Sequence, residues 1–312
     1  MALPMTRREL LRAAAASCVL SILPRPASAR QLRTRLVLLG TGGGPTPKKL
    51  VSAPAQVIIV DGTPYVVDCG DGVARQLVLA DVPLVKLRHI FITHQHSDHN
   101  ADYGNLILLA WASGLATRVD TWGPPPLARM TDLFFEMDDY DIRTRISDEG
   151  RPPLRPLVHA HEITKSGVVM RDENVTVTSA LVEHPLVAPA FAYRFDGPDR
   201  SIVISGDTAR SEHVVELARG ADVLVHEALW VPAIDRILAR DPNASTLKKH
   251  LLASHTAAED CGRVAEAAGV KTLVLSHLVP GGDASITDQM WLDAAGKYFK
   301  GRIIVGKDLM EI

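Results

Sequence analysis

Short runs of apolar and β-branched residues alternate with glycine, proline and aspartate through the first half of the chain. This pattern is typical of β-strands that end in tight turns. It predicts strands at 36–39, 56–60, 65–67, 89–93 and 119–122, with a helix over 100–113. The segment 124–156 combines prolines with acidic and aromatic side chains, and it predicts an irregular stretch.

The second half changes from strands alone to strands that alternate with helices. Strands are predicted at 175–181, 190–195, 201–205, 223–226, 272–276 and 303–305, and helices at 212–219 and 257–268. Neither a repeat nor a long linker interrupts this order. We therefore expect residues 30–312 to form one domain with a layered α/β architecture and two sheets.

The N-terminal segment 1–29 has the pattern of an export signal. Arg7 and Arg8 precede the apolar stretch 10–23, and Ala27-Ser28-Ala29 resembles a cleavage site. The paired arginines are typical of twin-arginine export. This predicts a periplasmic or secreted protein without a stable membrane anchor after cleavage. An ordinary secretory signal and an uncleaved N-terminal helix are the alternatives.

The charge and cysteine content of the chain indicate which partners and which structural class to expect. The chain has 312 residues, with 34 Lys+Arg against 36 Asp+Glu and a formal charge of −2. No overall basic field favours a polyanion, so nucleic acid is an unexpected partner. Three cysteines in a chain of this length exclude a disulfide scaffold.

The strongest chemical signal is the run Thr93-His94-Gln95-His96-Ser97-Asp98-His99, directly after a predicted strand. A loop that follows a strand places several side chains at one point on the rim of a sheet. Imidazole nitrogens suit zinc, and a carboxylate can bind a metal or act as a base. The run therefore predicts a metal site.

The H-x-H-x-D-H run resembles the signature of the metallo-β-lactamase fold superfamily, and later motifs extend the resemblance from Leu36 to Val305. It implies a four-layer αββα sandwich that holds two Zn²⁺ ions, with Mn²⁺ or Fe²⁺ as substitutes. The implied metal ligands are His94, His96 and His184 for the first ion, Asp98, His99 and His277 for the second, and Asp207 as the bridge.

Two further elements resemble the H-E-A and H-x-T motifs of ribonuclease Z and its relatives. They are Val225-His226-Glu227-Ala228 and His255-Thr256. The resemblance implies that His255 protonates the leaving group and that Glu227 orients its ring. A carboxylate beside an imidazole raises the pKa of the ring, as a general acid requires. Asp98 would orient the nucleophile as well as bind metal.

The expected function is hydrolysis of small phosphodiesters or sulfate esters by a binuclear zinc enzyme that uses a metal-bridging hydroxide. The ending His277-Leu278-Val279-Pro280-Gly281-Gly282 resembles that of exported arylsulfatase-like and small-phosphodiester hydrolases. Processing of tRNA 3′ ends is less favoured, because only 22 residues separate His184 from Asp207 and leave no room for the tRNA-binding arm of ribonuclease Z.

The alternatives on the same site are a lactone, organophosphate or β-lactam hydrolase, and a non-enzymatic exported metal-binding protein. The expected partner is a small-molecule ester, and a homodimer is compatible with the sequence.

The sequence also predicts the positions of several residues outside the ligand set. Asp68 is expected to hydrogen-bond a ligand histidine, and the glycine turn 40–45 to lie beside the cleft. His159 and His161 are expected to be structural, and His213 and His250 to lie on the surface. The segment 124–156 is expected to overhang the cleft through its aromatic side chains, which are Phe134, Phe135 and Tyr140, together with Trp122.

Overall fold

The computed structural model describes residues 32–312, so the predicted export signal at 1–29 lies outside the described residues. Two seven-stranded sheets form the centre of the fold, in the orders β14-β1-β2-β3-β4-β5-β6 and β13-β12-β11-β10-β9-β8-β7. The strands of the first sheet are β1 Thr34–Gly40, β2 Ala55–Val60, β3 Thr63–Val67, β4 His89–Phe91, β5 Val119–Gly123, β6 Val158–Glu162 and β14 Met310–Glu311. Those of the second are β7 Gly167–Arg171, β8 Thr176–Leu181, β9 Phe191–Asp196, β10 Ser201–Ile204, β11 Val223–Leu229, β12 Thr272–Val279 and β13 Arg302–Val305.

Helices cover the outer faces of both sheets. In chain order they are α1 Val73–Leu79, α2 Ser97–Asn100, α3 Tyr103–Ala112, α4 Leu127–Met137, α5 Asp139–Glu149, α6 Glu212–Ala218, α7 Ile234–Arg240, α8 Leu247–Ser254, α9 Ala258–Ala268 and α10 Asp288–Gly296. Among residues 32–312, no helix combines the length and apolar character needed to cross a membrane.

The alternation of side chains along each strand explains the layers. In β1, Leu36 and Leu38 pack into the core between the two sheets, whereas Val37 and Leu39 pack against the helices outside the first sheet. Residues that alternate along a strand point to opposite faces, and both faces are apolar here. The predicted αββα sandwich is confirmed.

The prediction of an irregular stretch at 124–156 is wrong, because α4 and α5 fill most of this segment. Leu127, Thr131 and Phe134 are the buried positions of α4, and their spacing of four and three residues follows one helical face. The prolines that suggested an irregular stretch lie before α4 and after α5. The helix predicted over 100–113 is also shorter, since α3 begins at Tyr103 after the separate turn α2.

The cysteines that the structure describes are free. Cys69 is buried in the core outside the first sheet and Cys261 in the core outside the second.

Candidate metal centre

The ends of four strands bring the predicted ligands to one edge of the sandwich. His94 and His96 follow β4, and β12 contains His277 near its end. His184 follows β8 and Asp207 follows β10. Short strands that end at a common edge place residues from distant parts of the chain in one cleft.

The predicted ligands form two clusters that match the two implied metal sites. In each cluster the potential ligand atoms lie within 4.8 Å of one another. The first contains His94, His96, His184 and Asp207, and the second contains Asp98, His99 and His277. A third group at the same spacing joins His255 to Asp207 and His277.

Asp207 lies between the two clusters. Its carboxylate oxygens are 3.8 Å from His94 Nε2, 3.4 Å from His99 Nε2 and 3.2 Å from His277 Nε2. One carboxylate is thus in reach of ligands from both sets, as a bridging position requires.

Several donor atoms of the cluster have no hydrogen-bond partner within residues 32–312. Both ring nitrogens of His184 are buried and unpartnered, and Nε2 of His99 and Oδ1 of Asp207 lie 3.4 Å apart without a hydrogen bond. Buried polar atoms are normally paired, because the loss of hydration is costly. The donor set is rich in imidazole with two carboxylates, so it fits borderline divalent cations such as Zn²⁺.

Asp68 holds one of the predicted ligands in position. Its Oδ2 lies 2.7 Å from Nδ1 of His99, and its Oδ1 accepts a hydrogen bond from the backbone N–H of Thr93 at 2.8 Å. Both residues are buried. The contact fixes the ring so that Nε2 points into the cluster, as expected from the sequence.

The glycine turn after β1 lies against the second cluster, also as expected. Gly44 donates its backbone N–H to Oδ2 of Asp98 at 2.9 Å. A Cβ at Gly43 would lie 2.5 Å from Nδ1 of His277, so only glycine fits beside that ring. His277 itself has φ 44, a left-handed conformation that a non-glycine residue rarely adopts.

His255 and Glu227 form a buried pair beside the two clusters. Nδ1 of His255 is 3.4 Å from Oε2 of Glu227, and the backbone N–H of Thr256 donates to the other carboxylate oxygen at 2.7 Å. Burial alone would lower the pKa of His255, but Glu227 and the nearby carboxylates raise it to about 9. The imidazole can therefore carry a proton at neutral pH.

The other charges in the cluster also have shifted pKa values. Burial opposes ionisation of Asp98, yet His99 and His277 hold its pKa well below the usual range. Burial lowers the pKa of His184 to about 4. The site thus presents ionised carboxylates together with a neutral imidazole, the forms that ligate cations.

A cavity of about 730 Å³ opens onto the cluster. Its walls come from the loop 43–50, the helices α7 and α8, and the segment 279–282.

The prediction that segment 124–156 overhangs the cleft through its aromatic side chains is wrong. Phe134 packs into the core, where its ring lies against Gly104, and Trp122 stacks on Phe91 at 5.0 Å between ring centroids. Tyr140 is 79% exposed and does not line the cavity. Phe134 and the partly buried Phe135 of α4 instead pack in the core outside the first sheet.

The expectation that His250 lies on the outer surface is wrong. It lies on α8, lines the cavity, and its ring centroid is 5.7 Å from that of His96 and 5.8 Å from that of His184. The sequence pattern predicts no helix over 247–254, so it does not place His250 beside the metal ligands. The spacing of Leu247, His250 and Leu251, three and then one residue apart, was the available signal.

Three other histidines have contacts outside the ligand clusters. His161 contacts Asp120 at 2.7 Å and stacks on Trp122, and the exposed His213 contacts Glu183 at 3.2 Å. His89 stacks on Tyr65 at 4.8 Å.

Comparisons with known proteins agree with the fold and the site. Residues 63–278 match the family described as the beta-lactamase superfamily domain. Ribonuclease Z from Mycobacterium bovis is 30% identical over 280 residues, which is 89% of this chain and 97% of that protein.

Solved structures share the fold at lower identity. Human tRNase Z, short form, superimposes with a TM-score of 0.64 at 20% identity, over 89% of this chain and 98% of that chain. The metallo-beta-lactamase fold protein YhfI from Bacillus subtilis has a TM-score of 0.63 at 20% identity, over the same shares of each chain.

Proposed function

The chain belongs to the beta-lactamase superfamily, in its ribonuclease Z-like branch, and is a metal-dependent hydrolase of ester bonds. From that premise we propose that it is a binuclear zinc enzyme that hydrolyses small phosphodiesters or sulfate esters. The observation that carries the proposal is the pair of ligand clusters around Asp207, with the His255–Glu227 pair beside them and a cavity in front.

The proposed ligands follow the two clusters. His94, His96 and His184 would hold one cation, Asp98, His99 and His277 the other, and Asp207 would contact both. Divalent cations bound there would lower the pKa of water and neutralise negative charge on the ester group. The unpartnered atoms of His184, His99 and Asp207 support this assignment.

Side chains of the protein would donate the proton to the leaving group and orient the nucleophile. His255 can donate a proton to the leaving oxygen, because Glu227 stabilises its protonated form. Asp98 is fixed by the N–H of Gly44 and faces Nε2 of His277 at 3.4 Å. It can therefore orient a nucleophile while it binds metal.

The dimensions of the site favour a small substrate. A cavity of about 730 Å³ fits a molecule of drug size. The connection between β8 and β9, which contains His184, is short, and β9 and β10 follow it directly. No inserted arm is present between His184 and Asp207 in the part of the chain that the structure describes.

Processing of RNA is a second candidate, because the relative from Mycobacterium bovis is named Ribonuclease Z and aligns over 97% of its length. This similarity makes nucleic acid a candidate partner, against the expectation from net charge. The two candidates share one metal centre and differ in the substrate that reaches it.

The test is zinc content per chain together with turnover of a substrate panel. The panel contains bis-p-nitrophenyl phosphate, p-nitrophenyl sulfate, an acyl-homoserine lactone, a cephalosporin and a precursor tRNA. We expect two zinc ions and turnover of the phosphodiester or the sulfate. His255→Ala should lower kcat by about 10²–10⁴-fold, a typical loss for a general acid, with zinc content unchanged.

His213→Ala is the matched control, because His213 is exposed, belongs to neither ligand cluster and does not line the cavity. Preference for the lactone or the cephalosporin, with turnover indifferent to His255→Ala, would overturn the proposal. Efficient cleavage of precursor tRNA with no turnover of small esters would establish the second candidate instead.

A further inference from the structure

One face of α8 borders the metal centre with both apolar and polar side chains. Leu247, His250 and Leu251 all line the cavity. Positions separated by three or four residues lie on the same side of a helix, so these three side chains form one continuous surface. His255, which follows the end of α8, extends that surface to the metal centre.

The apolar part of this face belongs to a small core. Leu251 is buried in a cluster with Ile234 and Val279, and Leu247 and Ile237 pack against that cluster. The cluster joins α7 and α8 to the end of β12 and stabilises the wall of the cavity. Leu247 and Ile237 are only partly buried, so their outer surfaces are available to a ligand.

His250 stands where the apolar wall meets the metal centre. Its ring is 5.7 Å from that of His255 and 5.7 Å from that of His96, measured between centroids. It belongs to none of the clusters whose ligand atoms lie within 4.8 Å. One of its ring nitrogens, Nδ1, lies 3.3 Å from Oγ of Ser254, which fixes the ring on the helix.

Cationic side chains stand on the rim of the same cavity. Lys48, Lys49 and Arg240 line it, and the Nζ of Lys48 is held by the carbonyl oxygen of Gly44 at 2.7 Å. Asp241 lines the cavity too, so three cationic side chains face one carboxylate outside the ligand clusters, and this positive balance favours an anionic substrate. Leu247 and Leu251 of α8 line the same cavity, and a bare inorganic anion would leave them without contacts.

We propose that Leu247, His250 and Leu251 form a subsite for the apolar group of a small anionic ester, with His250 contacting the ester oxygens. The inference rests on the proposed function and specifies its substrate class as esters with an aryl or comparable apolar group. Because the α8 face leads to His255, the apolar group held there is that of the leaving alcohol or phenol.

The test measures binding by calorimetry on the zinc-loaded full chain, so it does not depend on turnover. The probes are phenylphosphonate and methylphosphonate, which share the anionic head and differ in the apolar group. We expect phenylphosphonate to bind about tenfold more tightly, since burial of apolar surface drives the difference. Leu247→Ser should reduce that preference to about twofold. Leu252→Ser is the control on the same helix, because Leu252 is 50% exposed and does not line the cavity.

His250→Ala should weaken both phosphonates by about fivefold or more and leave zinc content unchanged, with His213→Ala as its control. If His250→Ala unfolds at a lower temperature than the wild type, His250→Gln provides the same comparison with a polar side chain retained.

Equal affinity of the wild type for the two probes, or an equal effect of Leu252→Ser and Leu247→Ser, would overturn the subsite. Loss of zinc in both His250 variants would overturn the role given to His250. Hydrolysis of esters without a phenyl preference counts against the subsite alone. A phenyl preference without hydrolysis of any ester counts against the proposed function alone.

Discussion

At the scale of single residues, Asp68 shows how a side chain outside the predicted ligand set can position one of the ligand histidines. It is buried, it has φ 62, and it accepts hydrogen bonds from the backbone and side chain of Thr93 while it contacts His99. The left-handed backbone is costly for a residue with a side chain, and the surrounding contacts offset that cost.

Asp68→Asn should weaken zinc binding at the second cluster by about 10–100-fold, because an amide no longer fixes the His99 tautomer with a charge-assisted contact. Competition with a chromogenic chelator measures the affinity. Asp71→Asn is the control, because Asp71 lies in the same turn but is exposed. Equal zinc affinity in both variants would contradict the role of Asp68.

The grouping of the candidate ligands could be predicted from the sequence because each lies in a short motif at or near the end of a strand. His94, His96, Asp98 and His99 lie within six residues, and His184 and Asp207 each follow a strand. His250 could not be predicted in the same way. Its position beside the clusters depends on the packing of α8 against α7 and β12, and that packing leaves only a weak periodic pattern in a short helix.

At the scale of elements, α4 stabilises the first sheet. Phe134 is 5% exposed, and its ring contacts the position where Gly104 lacks a Cβ. The close approach of α4 to α3 thus requires both the glycine and the aromatic ring. The apolar spacing of α4 is present in the sequence, but the neighbouring prolines and acidic residues favoured the prediction of an irregular segment.

Phe134→Ala should lower the free energy of unfolding by about 3 kcal/mol, since it leaves a cavity in the core. Chemical denaturation measures the change, and Tyr140→Ala, at an exposed position, should have little effect. Neither variant should alter the ratio of kcat/KM between substrates. A changed ratio in Phe134→Ala at unchanged stability would restore the overhang hypothesis.

Asp222 ties together the beginnings of three parallel strands. Its carboxylate accepts hydrogen bonds from the N–H of Ser201 at 2.8 Å and from the Nζ of Lys271 at 2.6 Å. Ser201 begins β10, and Asp222 and Lys271 immediately precede β11 and β12. Burial opposes ionisation, but Lys271 and Ser201 lower the pKa of Asp222 below its usual value.

Asp222→Asn should therefore reduce the free energy of unfolding at pH 7 by about 1 kcal/mol. A carboxyl whose pKa is lower in the folded state stabilises the protein above its unfolded pKa of about 3.9. The stabilisation is lost as pH falls through the folded value. Denaturation at a series of pH values should show a constant difference from pH 7 to 5 that shrinks below about pH 4. A difference independent of pH would contradict this account, and Asp148→Asn is the exposed control.

At the scale of the whole molecule, the metal centre joins the two sheets. His94, Asp98 and His99 follow a strand of the first sheet, whereas Asp207 and His277 come from the second. Cations bound between them would link the two halves of the sandwich.

Removal of metal should therefore destabilise the whole domain. A ligand that binds only the folded state stabilises it by about 2.7 kcal/mol at 100 times its Kd. We expect a chelator to lower the Tm by about 5 °C or more, measured by scanning fluorimetry. The same chelator saturated with zinc should leave the Tm unchanged. An unchanged Tm on metal removal, with loss of zinc verified, would mean that the centre does not link the sheets.

The separation of the ligands along the chain has a consequence for biosynthesis. Asp98 and His277 are 179 positions apart, and β12, which contains His277, lies between β13 and β11 in the second sheet. At about 5–20 residues per second, the ribosome makes the first of these residues roughly 10–35 s before the second. During that interval the nascent chain exposes a half-built centre and the apolar inner face of the first sheet. Stable loading of the proposed metal centre can therefore follow, but not precede, translation of residue 277.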